Sequence, residues 1–205
     1  MFESKILIDV ENHVRELFKQ RSVAENIYHN IVHTSEVVTV SYKIAQIENL
    51  SSDDTEILLI AAWFHDTGYF HCCHGHEYQS SEYARDFLQK NNFPPEKIEK
   101  VMECIKSTKI PHAPKSKLEE IICDADLQNL GMKDGEKRSE LLRREFEMKG
   151  IKNLSDLEWI KMSLAFFKKH KYYTDFAKRE FETQKNHNQN RLEQKLKKLE
   201  EQSSH

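Results

Sequence analysis

An all-α domain is the fold class this chain predicts, on three observations. Apolar residues recur at helical spacing in one segment after another, no alternating strand pattern of useful length occurs, and only five Gly and four Pro punctuate 205 residues. Those breakers cut the chain into helix-length pieces. With 38% hydrophobic and 32% charged residues, the chain is charge-rich yet long enough for one domain with a real core. The expectation is a single domain over residues 1–205, with its chemistry-bearing core at about 25–135 and a helical extension at about 136–205.

The elements follow in order. Residues 3–20 carry Ile6, Val10, His13, Val14, Leu17 and Phe18 on one helical stripe. A second helix is expected from Asn30 to Glu48, with Val37, Val38, Ser41, Ile44, Ala45 and Ile47 at helical spacing. Ser51-Ser52-Asp53-Asp54 is an N-cap cluster that opens a third helix, Glu56 to His65, which Gly68 can stop. His71 to Gly75 reads as a loop, Ser80 to Lys90 as a helix, and Pro94-Pro95 as the start of another that runs through Ile105. Pro111 and Pro114 mark a second loop. Helices are then expected over Leu118–Leu130, Glu136–Met148, Asp156–His170 and Asp175–Glu200.

Several function classes drop out on composition. No window approaches the roughly 18 consecutive apolar residues that a membrane span needs. Met1-Phe2-Glu3-Ser4-Lys5 lacks a basic segment followed by an apolar one, so the expected compartment is the cytoplasm. A net charge of -3 argues against a globally nucleic-acid-binding surface and leaves room only for a local basic patch. Cys72, Cys73, Cys104 and Cys123 form no CxxC pair, and reduced thiols are expected.

The chemistry-bearing residues sit in three places. His29 and His33 are four positions apart and share a face if the helix starts by His29. Ile57-Leu58-Leu59-Ile60-Ala61-Ala62-Trp63-Phe64 is apolar on every side and ends in His65-Asp66. A carboxylate at the end of a buried helix suffers desolvation and faces the negative pole of the helix dipole. A bound cation relieves both; the alternative is Asp66 capping a neighbour and His65 hydrogen-bonded in the core. Ile121-Ile122-Cys123-Asp124-Ala125-Asp126-Leu127 again embeds carboxylates in apolar sequence. Asp124 and Asp126 point to different sides, so only one of them is expected to serve as a ligand.

Taken in order, these residues resemble the H…HD…D signature of the HD superfamily of metal-dependent phosphohydrolases. Tyr28-His29-Asn30-x-x-His33 resembles a motif of cyclic-nucleotide phosphodiesterases, and Ala61 through Tyr69 resembles the family's core helix. His76-Glu77 with Ser80-Ser81 and Ala84-Arg85, and Thr108-Lys109-x-Pro111 ahead of Asp124-Ala125-Asp126-Leu127, fit predicted bacterial HD hydrolases. Tyr172-Tyr173-Thr174 and Asn190-Arg191-Leu192 fit more weakly. The resemblance implies a helical HD bundle with additional C-terminal helices. It also implies His33, His65, Asp66 and Asp126 as ligands to a divalent ion.

Imidazole with carboxylate suits Mn, Fe, Co, Ni or Zn, and Mg less well. On this reading Asp66 also serves catalysis by holding a water, and His29, one turn before the first ligand, is the candidate general acid. Some HD proteins hold a second metal with two further histidines, for which His76 and His112 are the available pair, giving one or two ions per chain. The run His71-Cys72-Cys73-His74-Gly75-His76 is spaced poorly for a closed zinc site.

Lys106, Lys109, His112, Lys115 and Lys117 lie in a stretch without acidic residues. That loop is a candidate phosphate cradle, led by Lys109 beside Thr108. The expected substrate is a small phosphorylated molecule, a nucleotide above others, cleaved as a monoester or diester. Two alternatives stand beside it, a non-catalytic nucleotide-sensing HD module and an HD-type diiron oxygenase. Phe166-Phe167-Lys168-Lys169-His170-Lys171-Tyr172-Tyr173 is read as a helix end with core aromatics rather than an RNA contact. A homodimer is one use for the stripe Leu192, Leu196 and Leu199.

Overall fold

The computed structural model describes residues 4–21, 24–71 and 74–203, and among these the chain is all-α with no strand. The helices are α1 (Lys5–Arg21), α2 (Ile31–Ile47), α3 (Ser52–Phe64), α4 (His76–Lys90), α5 (Pro95–Ser107) and α6 (Lys117–Asp126), followed by α7 (Gly135–Met148), α8 (Asp156–Lys169) and α9 (Asp175–Ser203). Two short 3-10 turns, Thr67–Phe70 and Gln128–Gly131, complete the set. The chain forms two compact units, the first ending at Asp126 and the second beginning at Leu127. No described helix is long and apolar enough to cross a membrane.

The first unit is built around α3. Every residue from Ile57 to Phe64 is buried, and α1, α2, α4, α5 and α6 all pack on this one helix. An all-apolar surface demands such enclosure, since each fully buried Leu or Ile contributes roughly 1.5–3 kcal/mol. In α1 the buried stripe is Leu7, Val10, Val14 and Phe18, with His13 beside it stacked on Phe87 at 4.4 Å. Leu7 takes the inward place expected of Ile6, which is half-buried.

Helix starts move where side chains cap them. α3 opens at Ser52 instead of Glu56, because Ser51 Oγ accepts the amide of Asp54 at 3.1 Å. α2 opens at Ile31, with Asn30 Oδ1 accepting the amides of Val32 and His33 at 2.8 and 3.2 Å. His29 therefore stands outside the helix. α4 opens at His76, four residues earlier than expected, after Gly75 in the left-handed region (φ 74°).

Gly68 does not end α3. A Cβ there would come within 2.2 Å of His76 O, so glycine is what lets the turn Thr67–Phe70 dock against the start of α4. α3 ends at Phe64 because side chains take its last carbonyls: His65 Nδ1 bonds Ala62 O and Thr67 Oγ1 donates to Phe64 O, each at 2.8 Å. The helix expected over Leu118–Leu130 stops at Asp126 and gives way to the turn Gln128–Gly131.

In the second unit, Tyr172 Oη donates to Leu127 O at 3.2 Å, and Asn188 Nδ2 donates to Leu130 O and Met132 O at 2.9 and 2.8 Å. Tyr172 and Asn188 thus supply side-chain donors to backbone carbonyls in and beside the turn Gln128–Gly131, which a helix ending at Leu130 would not satisfy from its own backbone. α8 begins in a capping box of Ser155 with Glu158. Leu127, Leu130 and Phe167 form a small core against which Phe166 and Leu192 pack. Phe166 and Phe167 are thus core aromatics, and Leu192, part of the stripe considered for a dimer, faces the unit's own interior.

Candidate metal centre

Four side chains from three helix ends meet in the first unit. His33 comes from the first turn of α2, His65 and Asp66 from the segment just past α3, and Asp126 from the last residue of α6. His33 Nε2 lies 3.1 Å from Asp126 Oδ1 and 3.4 Å from Asp66 Oδ2. His65 Nε2 lies 3.2 Å from Asp66 Oδ2 and 3.6 Å from Asp126 Oδ1. The four donor atoms make a ring in which imidazole and carboxylate alternate.

That ring fits a metal ion. Donors bonded to an ion at about 2.0–2.2 Å and at right angles to one another lie about 3 Å apart, close to the edges of this ring. His33, His65 and Asp66 each offer an atom within 4.8 Å of the others, and all three residues are buried. His65 Nε2 and Asp66 Oδ2 make no aligned hydrogen bond although they are enclosed. Unaligned buried lone pairs are costly as a purely structural arrangement and well suited to a cation.

The neighbouring structure orients these side chains. A carbonyl only accepts, so the bond to Ala62 O puts a hydrogen on His65 Nδ1 and leaves a lone pair on Nε2 in the neutral ring. Asn30 fixes the first turn of α2, and hence His33, while its Nδ2 donates to Ile27 O at 2.9 Å. Burial alone would favour a neutral His65 and a protonated Asp66. Their facing charges win: the Asp66 carboxylate holds His65 well above its ordinary value, and His65 holds Asp66 well below. Burial likewise pushes Asp126 up, and His33 and His65 pull it below the usual carboxylate range.

The remaining sequence candidates divide. His76 Nε2 is 3.4 Å from Asp66 Oδ1 and 3.9 Å from Glu77 Oε1, which puts it at the edge of the cluster. His112 bonds Thr108 O through Nε2 at 3.1 Å; burial lowers its pKa, opposed in part by the charges of Asp126 and Glu77. His29 stacks on Tyr69 with ring centroids 3.9 Å apart, and stands 6.3 Å from the His33 ring and 6.1 Å from that of His76. Asp124 is fully buried and stands outside the ring of four.

The lysine loop is more dispersed. Lys109 is exposed, whereas Thr108 is buried and donates its hydroxyl to Ile105 O at 2.8 Å, leaving no proton there for a phosphate. Lys117 pairs with Glu48 at 3.2 Å, and Lys106 sits over the Tyr78 ring at 5.9 Å. Cys104 and Cys123 are buried free thiols; burial pushes Cys123 up to about 12, so neither is a reactive thiolate. Cys72 and Cys73 lie outside the described residues.

Sequence reasoning missed three residues that build this centre. Asn30 caps α2, Gly68 permits the close approach of His76, and Tyr69 carries His29. Only the first had a readable signal, an Asn directly before a helical stripe.

The family model of the HD domain matches residues 30–127, a span that includes His33, His65, Asp66 and Asp126. Among solved structures, the chain is similar to the crystal structure of a predicted HD superfamily hydrolase from an uncultured Thermotogales bacterium. The two are 21% identical, the match covers 94% of this chain and 92% of that one, and the TM-score is 0.60, a likeness of fold. No curated protein matches the sequence.

Proposed function

We propose, from the premise that residues 30–127 of this chain are an HD domain, that it is a metal-dependent phosphohydrolase acting on a small phosphorylated substrate, a nucleotide above others. The observation that carries this reading is the alternating ring of two imidazoles and two carboxylates with edges of 3.1–3.6 Å. The preference for a nucleotide rests on the likeness of Tyr28-His29-Asn30-x-x-His33 to cyclic-nucleotide phosphodiesterases.

His33, His65, Asp66 and Asp126 would hold a divalent ion such as Mn, Fe, Co, Ni or Zn, with Mg less favoured. When bound, such an ion acts as a Lewis acid toward phosphoryl oxygen and makes a water acidic enough to attack near neutral pH. The protein does the rest. Asp66 faces the ring through Oδ2 and His76 through Oδ1, so Oδ1 is the atom suited to hold and orient the attacking water. His29, on the neighbouring side, gives a proton to the leaving oxygen. Lys109, exposed at the end of α5, supplies a mobile positive charge for the phosphate, whereas Thr108 contributes only backbone shape. His76, 3.4 Å from Asp66 Oδ1, and His112, which feels the charge of Asp126, are the pair that would assist a second ion.

The test is a metal-analysed preparation assayed against p-nitrophenyl phosphate, its bis ester and a nucleotide panel, before and after chelation. Turnover that disappears with chelator, returns with one of the named metals and is lost in Asp66→Ala supports the reading. An inert protein that binds nucleotide, with wild type matching Asp66→Ala, makes it a sensing module instead. Oxygen consumption with an iron-loaded protein would point to the oxygenase.

A further inference from the structure

Tyr69 is the residue on which the inference turns. It is 4% exposed, and its amide donates to Asp66 O at 3.0 Å, so it is fastened to the His65-Asp66 doublet itself. The turn that carries it is anchored on the other side as well. Gly68 N donates to Ser80 Oγ at 2.8 Å, and a Cβ on Gly68 would collide with the backbone of His76.

From that position the Tyr69 ring reaches two histidines at once. It lies nearly parallel to His29, with centroids 3.9 Å apart at 22°, and edge-on to His76, at 5.2 Å and 79°. His29 precedes α2 and is not held by helical backbone geometry. Its ring is instead flanked by Tyr69 on its face and by Tyr28 at 4.9 Å and 74°. Offset or tilted aromatic contacts of this kind fix ring planes, not only distances.

We propose that Tyr69 is a positioning residue, whose ring holds the His29 imidazole in the plane from which it protonates the leaving oxygen. The proposal rests on the hydrolase reading above. In the step concerned, the oxygen of the attacking water bonds to phosphorus and its proton passes to solvent, while the P–O bond to the leaving group breaks and its electron pair stays on the leaving oxygen. The N–H bond of the His29 imidazolium breaks as the new O–H bond forms. Proton delivery needs the N–H aimed at that oxygen, and a misplacement of about 1 Å can cost on the order of a hundredfold in rate. The ring is what touches His29, so phenylalanine should replace it.

Leaving groups provide the test. A p-nitrophenolate departs without help, whereas an alkoxide, as in a nucleoside 5′-monophosphate or another alkyl ester the enzyme accepts, needs the acid. Wild type, Tyr69→Phe, Tyr69→Leu and His29→Ala are compared on an aryl and an alkyl phosphate, with bound metal measured in each. Tyr69→Leu is expected to lose roughly 10–100-fold in kcat on the alkyl ester and little on the aryl ester, at unchanged KM and metal content, matching His29→Ala in pattern.

Tyr69→Phe should behave as wild type on both esters. In the metal-free protein, the His29 ring protons are expected to be shifted upfield in NMR spectra of wild type and Tyr69→Phe alike, and to move downfield in Tyr69→Leu. Equal losses on both esters, or lost metal, would reduce Tyr69 to a packing residue and overturn the proposal. Should Tyr69→Leu not fold, Tyr69→Phe decides alone, since a selective alkyl defect there assigns the role to the hydroxyl and refutes the ring. If His29→Ala is itself unselective while turnover remains metal-dependent, the acid assignment falls and takes this proposal with it, leaving the hydrolase reading intact.

Discussion

In the second unit Lys185 is only 3% exposed, and its ammonium donates to His170 O at 2.6 Å, at the C-terminal end of α8, with Glu182 3.6 Å away. In the first unit His33, His65 and Asp66 are likewise buried and Asp126 partly so, yet they turn their donor atoms toward one another. Lys185 answers a need of the backbone, because the last carbonyls of a helix want donors and a positive charge suits that pole. The ring of four answers no backbone need through the atoms that face inward. Buried charge that finishes a helix is architecture; buried charge whose lone pairs converge is equipped to hold something.

Three outcomes would break or sharpen that contrast. The largest concerns the ring. His33→Ala and Asp126→Ala should lose bound metal and bring turnover to background, while Asp124→Ala, altering a carboxylate outside the ring, keeps metal. Plasma emission analysis of each purified variant decides this, and a reversed result for Asp124 and Asp126 would reassign the ligand.

Next is Lys185→Met, which removes the bond to the part-buried His170 O. The expected cost is about 1–3 kcal/mol in urea unfolding, with metal content unchanged. A loss of metal in this variant would erase the distinction between the two regions.

The smallest effect is in the pH dependence of the chelator-treated protein. His65 is held above its ordinary 6.5, so its contribution to stability is complete below that pH and fades as pH rises through the raised value. Asp66 and Asp126 are held below their ordinary 3.8, so theirs is complete above that pH and fades on acidification. The metal-free protein should therefore have its highest Tm between roughly pH 4 and 6.5, and decline on both sides. Metal must displace the His65 proton, so its affinity should climb with pH over the range where the apo protein weakens. A flat Tm profile across that range would mean the ring carries little charge when empty of metal.

Much of this was legible before any coordinates. The all-apolar stretch Ile57–Phe64 requires enclosure by other helices, and the structure encloses it on α1, α2, α4, α5 and α6. A carboxylate placed directly after such a helix requires a partner, which makes Asp66 conspicuous in the bare sequence. Asn30 went unread as a cap, so His29 was considered for the helix it in fact precedes. The lysine loop was legible as charge only. Whether Thr108 keeps its hydroxyl for a ligand depends on the carbonyl of Ile105, a local bond that composition does not reveal.

Periodicity and composition by themselves determined the helices and the enclosure of α3, because local propensity and the hydrophobic effect act on pattern. They also singled out the His and Asp residues whose burial needs an explanation. Convergence was decided by tertiary structure alone. Asp126 meets His33 across 93 residues of sequence, while Asp124, two positions earlier, stays buried outside the ring. Tyr69 under His29 depends on Gly68 having no side chain where the turn meets α4. Spacing along a chain constrains one helix face at a time; which faces meet is set by packing, and the ring of four exists only where they do.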